Sequence, residues 1–203
     1  MPAMRIFVTL ILASSALAAS AAAADPLLPP QPQSQTEAAS PATPQQRLNA
    51  LFTDLKRERD EEKARELANR IRLEWQDSGS ATVNLLMQWA EKAIAGEKKT
   101  MALDMLDQVI VLAPNYVEGW NRRATLHYQM GNFRKSMSDI NRVLALEPRH
   151  FGAIAGMATM LEAAGKNELA LRAWQQFLDI YPSDRKAQEQ LGELSEKLAG
   201  SRT

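Results

Sequence analysis

Residues 118–148 read EGWNRRATLHYQMGNFRKSMSDINRVLALEP, and this stretch decides the fold because its pattern returns along the chain every 34 residues. Proline marks the period at positions 114, 148 and 182. Small and apolar residues recur at the same spacing in six further series: Ala90, Ala124 and Ala158; Ala102, Ser136 and Ala170; Leu86, Trp120 and Ile154; Val109, Val143 and Phe177; Ile110, Leu144 and Leu178; Leu112, Leu146 and Ile180. A fixed period of this length indicates helical units that stack on one another.

Each unit is predicted to be a pair of antiparallel helices. Ala124 and Ser136 are placed where the two helices cross, because only small side chains let two helix axes approach closely. Gly131 and Asn132 lie between them and predict a turn with left-handed backbone. Pro148 lacks an amide donor and disfavours helical geometry in the residue before it, so the chain must turn there into the next unit.

On these positions the stretch resembles a tetratricopeptide repeat (TPR). The residues that match the family signature are Trp120, Ala124, Gly131, Phe133, Ser136, Val143 and Pro148. The units predicted in this way are a degenerate helical repeat at 47–82 and three repeats at 83–116, 117–150 and 151–184. In the degenerate unit Lys56 interrupts a small-residue series and Ser80 replaces the proline. The resemblance implies an all-α fold, an α-solenoid of helix-turn-helix repeats.

A further amphipathic helix is predicted after the last repeat. Its apolar side carries Ala187, Leu191, Leu194 and Leu198, and the opposite side carries Glu, Lys and Gln. A stack of repeats needs a lid with a polar outer face at its open end. Residues 185–203 are therefore expected to be a capping helix and tail.

The beginning of the chain predicts export. Residues 1–24 have a basic start, an apolar middle and Ala22-Ala23-Ala24 at the end, as in a signal peptide that is cut after Ala24. Cleavage would leave a periplasmic or secreted chain with no stable membrane insertion. An uncleaved membrane anchor is an alternative, since a spanning helix needs roughly 20 apolar residues. Residues 25–46, rich in Pro and Gln, are expected to be a disordered linker.

The composition limits the chemistry that the chain can carry. There is no cysteine, and 24 basic residues balance 24 acidic ones, which argues against a nucleic-acid partner. Of the two histidines, His127 lies in the first helix of the second unit and is expected to be a packing residue. His150 is expected to lie in a surface loop between units. We expect no metal, no cofactor and no catalytic residues. The tryptophans are all expected in the core: Trp75, Trp89, Trp120 and Trp174.

The resemblance implies a concave groove, lined by the first helix of each unit, that holds a peptide or helix of a partner protein. The positions expected to line it are Asn84, Met87, Glu91, Glu118, Asn121, Thr125, Tyr128, Gly152, Ala155, Thr159 and Glu162. Relatives that bind chaperones hold a C-terminal carboxylate with a ring of Lys, Asn and Arg. The matching positions here are Met87, Glu91, Arg122, Gly152 and Gly156. With Arg122 as the one cation among them, no such clamp is expected.

The predicted function is therefore a non-catalytic protein–protein interaction module or scaffold. Two alternatives stay open at this point. The chain could be a self-associating structural protein of the envelope, so that an oligomer is possible. It could also be a hydrolase that uses groove carboxylates such as Glu91 and Glu118.

Overall fold

The computed structural model describes residues 42–200, which form nine α-helices and no β-strand. The helices are α1 (Pro44–Arg57), α2 (Glu61–Gln76), α3 (Ala81–Ala95), α4 (Lys99–Leu112), α5 (Val117–Gln129), α6 (Phe133–Leu146), α7 (Phe151–Ala163), α8 (Asn167–Ile180) and α9 (Arg185–Gly200). The all-α prediction is confirmed. The predicted signal peptide and most of the predicted linker lie outside the described residues.

The first helix begins inside the predicted linker, which corrects its boundary at 46. Thr43 caps α1: its hydroxyl accepts a hydrogen bond from the amide of Gln46 (3.2 Å), and the Gln46 carboxamide oxygen accepts one from the amide of Thr43 (2.8 Å). Pro44 stands in the first turn, where its missing N–H costs nothing. A segment that looked disordered by composition thus supplies a helix start.

The six helices α3 to α8 form the predicted solenoid. They pair as α3–α4, α5–α6 and α7–α8, and the second helix of each pair packs on the first helix of the next. Ala124 and Ser136 are buried at the crossing of α5 and α6, where the Ser136 hydroxyl donates a hydrogen bond to the carbonyl of Ala124 (2.8 Å). The predicted register of small residues is therefore confirmed.

The turn inside each pair has a residue in the left-handed conformation at the same place in the repeat. Gly131 has φ +75° and Gly165 has φ +70°, as the sequence predicts, and Glu97 takes φ +57° at the corresponding position of the first pair. In each case the next amide reaches back to a helix carbonyl at 2.8 Å, as in a Schellman motif: Lys98 to Ala93, Asn132 to His127, and Lys166 to Leu161.

The predicted degenerate repeat forms a helical hairpin, α1–α2, but the hairpin does not stack on α3. It packs against the far end of the solenoid, with α1 on α8, while α2 also touches α5. Its buried residues belong to one cluster with the third pair and α9: Leu48, Leu51, Phe52, Leu55, Ala64, Ala68, Ile71, Trp75, Phe151, Ile154, Ala158, Ala170, Ala173, Trp174, Phe177, Tyr181, Ala187 and Leu194. The first pair has a separate core.

Two features of the sequence separate the hairpin from a repeat. Lys56 takes the place of the small crossing residue, and its long side chain is exposed. In the 34-residue frame, the left-handed turn residue of this unit would be Lys63. The link between α1 and α2 comes earlier, at residues 58–60, and Lys63 lies inside α2. The hairpin therefore lacks both the small crossing residue and the left-handed turn that the repeats share.

Helix α9 covers the last pair, as expected of a capping helix. It packs on α8, with Ala187 and Leu194 buried and Leu191 partly buried in the same cluster. The Asp184 carboxylate accepts a hydrogen bond from the amide of Ala187 (2.8 Å) and so satisfies the start of the helix.

The tryptophans divide between core and surface. Trp75 and Trp174 are buried, and Trp120 is half-buried. The prediction for Trp89 is wrong, because 45% of this residue is exposed on α3. The reason is the position of the hairpin, which leaves the outer face of α3 without a neighbouring helix. In residues 42–200, no helix has the length and apolar character that crossing a bilayer requires.

Candidate functional site

Nine of the eleven predicted groove residues fall into two clefts along the first helices. The first cleft, of about 300 Å³, is lined by Asn84, Met87 and Glu91 of α3, by Glu118 of α5, and by neighbours that include Tyr116 and Arg122. The second cleft, of about 150 Å³, is lined by Asn121, Thr125 and Tyr128 of α5 and by Gly152 and Thr159 of α7.

Ala155 and Glu162 line neither of these two clefts. Ala155 packs against the cluster of the third pair. The Glu162 carboxylate accepts a hydrogen bond from the indole N–H of Trp174. Both residues therefore have structural contacts in the third pair.

The first cleft is dominated by a network of ion pairs. Arg122 Nε lies 3.0 Å from Glu118 Oε1, and an Arg122 terminal nitrogen lies 3.3 Å from Glu91 Oε1. Asn121 adds a hydrogen bond from its amide nitrogen to Glu118 Oε2 (3.1 Å). The charge of Arg122 is thus compensated by two carboxylates, and the two carboxylates proposed for hydrolysis share that one cation.

Asn84 belongs to the same cleft but is held by the link between α2 and α3. Its amide nitrogen donates to Asp77 Oδ1 (3.1 Å), and its carbonyl oxygen accepts from the hydroxyl of Ser78 (2.6 Å). The pKa of the Asp77 carboxyl is lowered by a hydrogen bond from the amide of Gly79 and then by the bond from Asn84. A residue expected to face a partner thus fixes a loop of the chain itself.

Helix α2 forms one wall of the first cleft. Leu73, Gln76 and Asp77 line it from that side. The Tyr116 hydroxyl donates a hydrogen bond to the carbonyl of Gln76 (2.8 Å), and burial raises the pKa of that hydroxyl. The hairpin therefore narrows the groove beside the first two pairs, which the sequence did not indicate.

The second cleft has a different character. Its floor is formed by small and apolar residues of α5, α6 and α7: Ala124, Ile140, Ala153, Gly156 and Met160. Gly156 contributes no side chain to this floor, and a Cβ there would lie 3.4 Å from Ile140 Cδ1, an ordinary van der Waals distance. On the rim Tyr128 is exposed, and its ring meets that of Phe133 edge-on at 5.6 Å between centroids. This cleft can accept an apolar side chain and offers hydroxyl and amide groups around it.

His150 lies at the centre of the contact between the hairpin and the solenoid. The prediction that His150 is a surface residue is wrong. His150 is 2% exposed, and its ring stacks on Trp75 at 4.1 Å with an interplanar angle of 18°. Its Nδ1 accepts a hydrogen bond from the amide of Ala153 (3.0 Å), which caps α7, and its Nε2 lies 3.4 Å from Glu118 Oε2. His150 is buried because Trp75 of α2 covers its ring.

Two arginines strengthen this joint. Arg149 lies over the ring of Phe52 at 4.2 Å and donates to Asn49 Oδ1 at 3.0 Å, while Arg72 lies over Phe151 at 4.9 Å. One signal in the sequence was available: His150 follows Tyr116 by one period, so an aromatic ring recurs at the last position of successive units. The sequence did not indicate that α2 covers the rings of Tyr116 and His150.

The other histidine behaves as predicted. His127 is buried in its helix pair, and burial lowers its pKa. Over the described residues, no group of three or more acidic or histidine side chains is arranged to hold a metal ion.

Known proteins support this architecture. The chain is 63% identical over 162 residues, 80% of its length, to a TPR repeat-containing protein of Rhizobium etli, of which it covers 79%. The first TPR of Spaghetti bound to an HSP90 peptide aligns with a TM-score of 0.55 and 23% identity over 61% of this chain and 96% of that one. The TPR2B domain of yeast Sti1, in a complex, aligns with a TM-score of 0.53 and 16% identity over 58% and 99% of the two chains. No family model matches the chain. Its identity to the Rhizobium etli protein, over most of both chains, nevertheless shows that the chain belongs to the tetratricopeptide repeat family.

Proposed function

We propose that this chain is a non-catalytic interaction module that holds a peptide or helix of a partner protein along its first helices. The observation that carries the proposal is the second cleft, where an apolar floor is open between α5 and α7 and is rimmed by Asn121, Thr125 and Thr159. The fold supports it, since one solved relative is bound to an HSP90 peptide.

The geometry also favours one kind of anchor. An apolar side chain would be desolvated on the floor of the second cleft. A peptide amide could donate to the Asn121 carbonyl oxygen or to the rim hydroxyls of Thr125 and Thr159, which themselves donate to carbonyls of their own helices. A terminal carboxylate has less to bind, because Glu91 and Glu118 already compensate the charge of Arg122. We therefore infer that the partner contributes an internal apolar residue.

Photo-crosslinking tests the proposal directly. A photoreactive residue at Asn121 or Thr159 should capture the same protein in native cells, because both positions line the second cleft. Ser138, which is exposed on α6, provides the matched control position. Capture of the same protein from Ser138 at equal yield, or capture of nothing from either cleft position, would refute the assignment of the groove.

A second experiment uses the captured partner. Thr159→Trp should fill the second cleft and weaken binding at least tenfold, while Ser138→Trp should leave the affinity unchanged. Isothermal titration with the purified partner measures both values, and circular dichroism confirms that both variants are folded. Equal affinities for Thr159→Trp and the unmodified chain would place the partner elsewhere.

We further propose that the module works in the periplasm or outside the cell. The support is the signal-like sequence of residues 1–24. Fractionation of cells, followed by mass determination of the mature chain, tests this. A mature chain that begins at Asp25 in the periplasmic or culture fraction is the expected result, and a cytoplasmic chain that retains residues 1–24 would contradict it.

A further inference from the structure

A third cavity, of about 90 Å³, lies where the hairpin meets the solenoid, and we call it the hairpin chamber. Arg72 and Trp75 line it from α2, Asn121 and Arg122 from α5, and Gly152 from α7. A single water molecule needs roughly 10–15 Å³ of such volume. The chamber therefore has room for a group of several heavy atoms.

The hairpin chamber is continuous with both clefts of the groove. Asn121 and Gly152 also line the second cleft, and Arg122 also lines the first cleft. Consecutive residues of a bound peptide have Cα atoms only ~3.8 Å apart. A residue next to the one that fills the second cleft can therefore place its side chain in the chamber.

Two residues that line the chamber have a buried N–H group without a hydrogen-bond partner within residues 42–200. One is Trp75, which is 8% exposed and whose indole N–H is unpaired. The other is Arg122, whose Nε lies at ion-pair distance from Glu118 but donates no hydrogen bond. Buried polar groups in folded proteins are almost always hydrogen-bonded. Two unpaired donors beside one cavity indicate a ligand that supplies acceptor oxygens.

The charges around the chamber favour an anionic acceptor. Two arginines, Arg72 and Arg122, and one carboxylate, Glu118, line it. Glu118 already faces Arg122, with 3.0 Å between Oε1 and Nε. Arg72 lies over the ring of Phe151 and donates a hydrogen bond to a neutral oxygen, Asn69 Oδ1 (2.7 Å). The positive charge of Arg72 is therefore available to a carboxylate from outside the chain.

We propose that the hairpin chamber binds the side-chain carboxylate of an internal acidic residue that neighbours the apolar anchor of the partner. The inference rests on the proposed function for the source of this carboxylate. The carboxylate oxygens accept hydrogen bonds from the indole N–H of Trp75, from Arg122 Nε and from the guanidinium of Arg72. Because Trp75 and Arg72 belong to α2, the hairpin takes a direct part in binding and extends the site beyond the repeats.

Acetate tests the chamber in the absence of any partner. Titration with sodium acetate at fixed pH, compared with sodium chloride at equal ionic strength, should shift the NMR signal of the Trp75 indole N–H along a saturable curve. Trp75→Phe assigns this signal. The indole N–H of Trp174, which is bonded to Glu162, is the internal control and should not move. The absence of an acetate-dependent shift at Trp75, or an equal shift at Trp174, would overturn the proposal.

A pair of arginine variants separates a specific site from general attraction. Arg72→Gln should weaken acetate binding about tenfold, because it removes a charge-assisted hydrogen bond. Arg70→Gln, at an exposed position two residues away on α2, is the matched control and should leave binding unchanged. Circular dichroism confirms that both variants are folded. Equal weakening by the two substitutions would contradict the assignment of Arg72 to the site.

Short blocked peptides identify the source of the carboxylate. Acetyl-Glu-Leu-Glu-amide should bind about tenfold more tightly than acetyl-Gln-Leu-Gln-amide, and Arg72→Gln should remove the difference. Acetyl-Gln-Leu-Gln with a free carboxyl end should bind no better than its amide. If the free carboxyl end restored the affinity, the chamber would hold a chain terminus and the proposal would be wrong. Capture of a partner from Asn121 and Thr159 without any effect of acetate would leave the proposed function standing and overturn this inference alone.

Discussion

The α1–α2 hairpin and the α5–α6 pair are both helix pairs in the same 34-residue frame, yet they are used differently. In α5–α6, Ala124 stands at the crossing and Gly131 turns the chain with left-handed backbone. In the hairpin, Lys56 replaces the small residue and is exposed. The difference teaches that apolar positions alone make a helix pair, whereas the crossing residue and the turn decide whether the pair can stack as a repeat.

The position of the hairpin also affects the shape of the groove. A pair stacked on α3 would have extended the row of first helices, but the docked hairpin places α2 beside α5 and α7 instead. Through Tyr116, His150 and Phe151 it touches the starts of these helices. It narrows the first cleft and leaves Leu85 and Trp89 of α3 exposed.

The largest expected effect concerns the docking of the hairpin. Trp75→Ala should lower the free energy of unfolding by ~3–5 kcal/mol, because it removes a buried ring that stacks on His150 and contacts Phe52 and Phe151. Urea unfolding followed by circular dichroism gives the value. Hydrogen exchange should rise most in α1 and α2.

The control for that prediction is the exposed tryptophan. Trp89→Ala should change the free energy of unfolding of the monomer by no more than ~0.5 kcal/mol. If Trp89→Ala lowered the free energy of unfolding as much as Trp75→Ala does, the hairpin would have to pack on α3 and not on the third pair.

The second prediction compares one frame position in the two regions. Ala124→Leu should cost ~1–3 kcal/mol, because the added atoms push α5 and α6 apart at their crossing. Lys56→Leu, two periods earlier, should stay within ~0.5 kcal/mol, because that side chain is exposed. Thermal and urea unfolding measure both. A large cost at Lys56 would indicate that the hairpin crosses as a repeat does.

The third prediction concerns a single hydrogen bond between the regions. Tyr116→Phe removes the bond from the Tyr116 hydroxyl to the carbonyl of Gln76 and should cost ~0.5–1.5 kcal/mol. Hydrogen exchange should increase near the end of α2. Tyr128→Phe, at an exposed ring, is the control and should have no measurable effect on unfolding.

The fourth prediction concerns a turn, where the expected effect is of similar size to that at Tyr116 but of opposite sign. Glu97→Gly should stabilise the chain by about 1 kcal/mol, because a non-glycine residue there is held at φ +57°. Arg59→Gly in the turn of the hairpin should give no such gain, because Arg59 is not in the left-handed conformation. Equal stabilisation by the two substitutions would show that the gain does not come from the backbone angle of Glu97.

Part of the candidate site could be predicted because the repeat fixes which side of each first helix faces the groove. Asn121, Thr125, Tyr128 and Thr159 were assigned because the family resemblance implies a groove along the first helices, and they line one cleft. Asn84 was assigned in the same way, but Asp77 and Ser78 hold it in the loop. A helical period gives the direction of a side chain; it does not give the distant residues that bind it.

The amino-acid sequence alone predicts the helix pairs, their crossing residues, the left-handed turns at Gly131 and Gly165, and the capping helix. These features depend on side-chain size and local backbone preference within one or two adjacent units. The docking position of the α1–α2 hairpin is visible only in the folded chain, and it accounts for the burial of His150 and the exposure of Trp89. That choice is a competition between two apolar surfaces far apart in the chain, and no local pattern contains the difference in their packing.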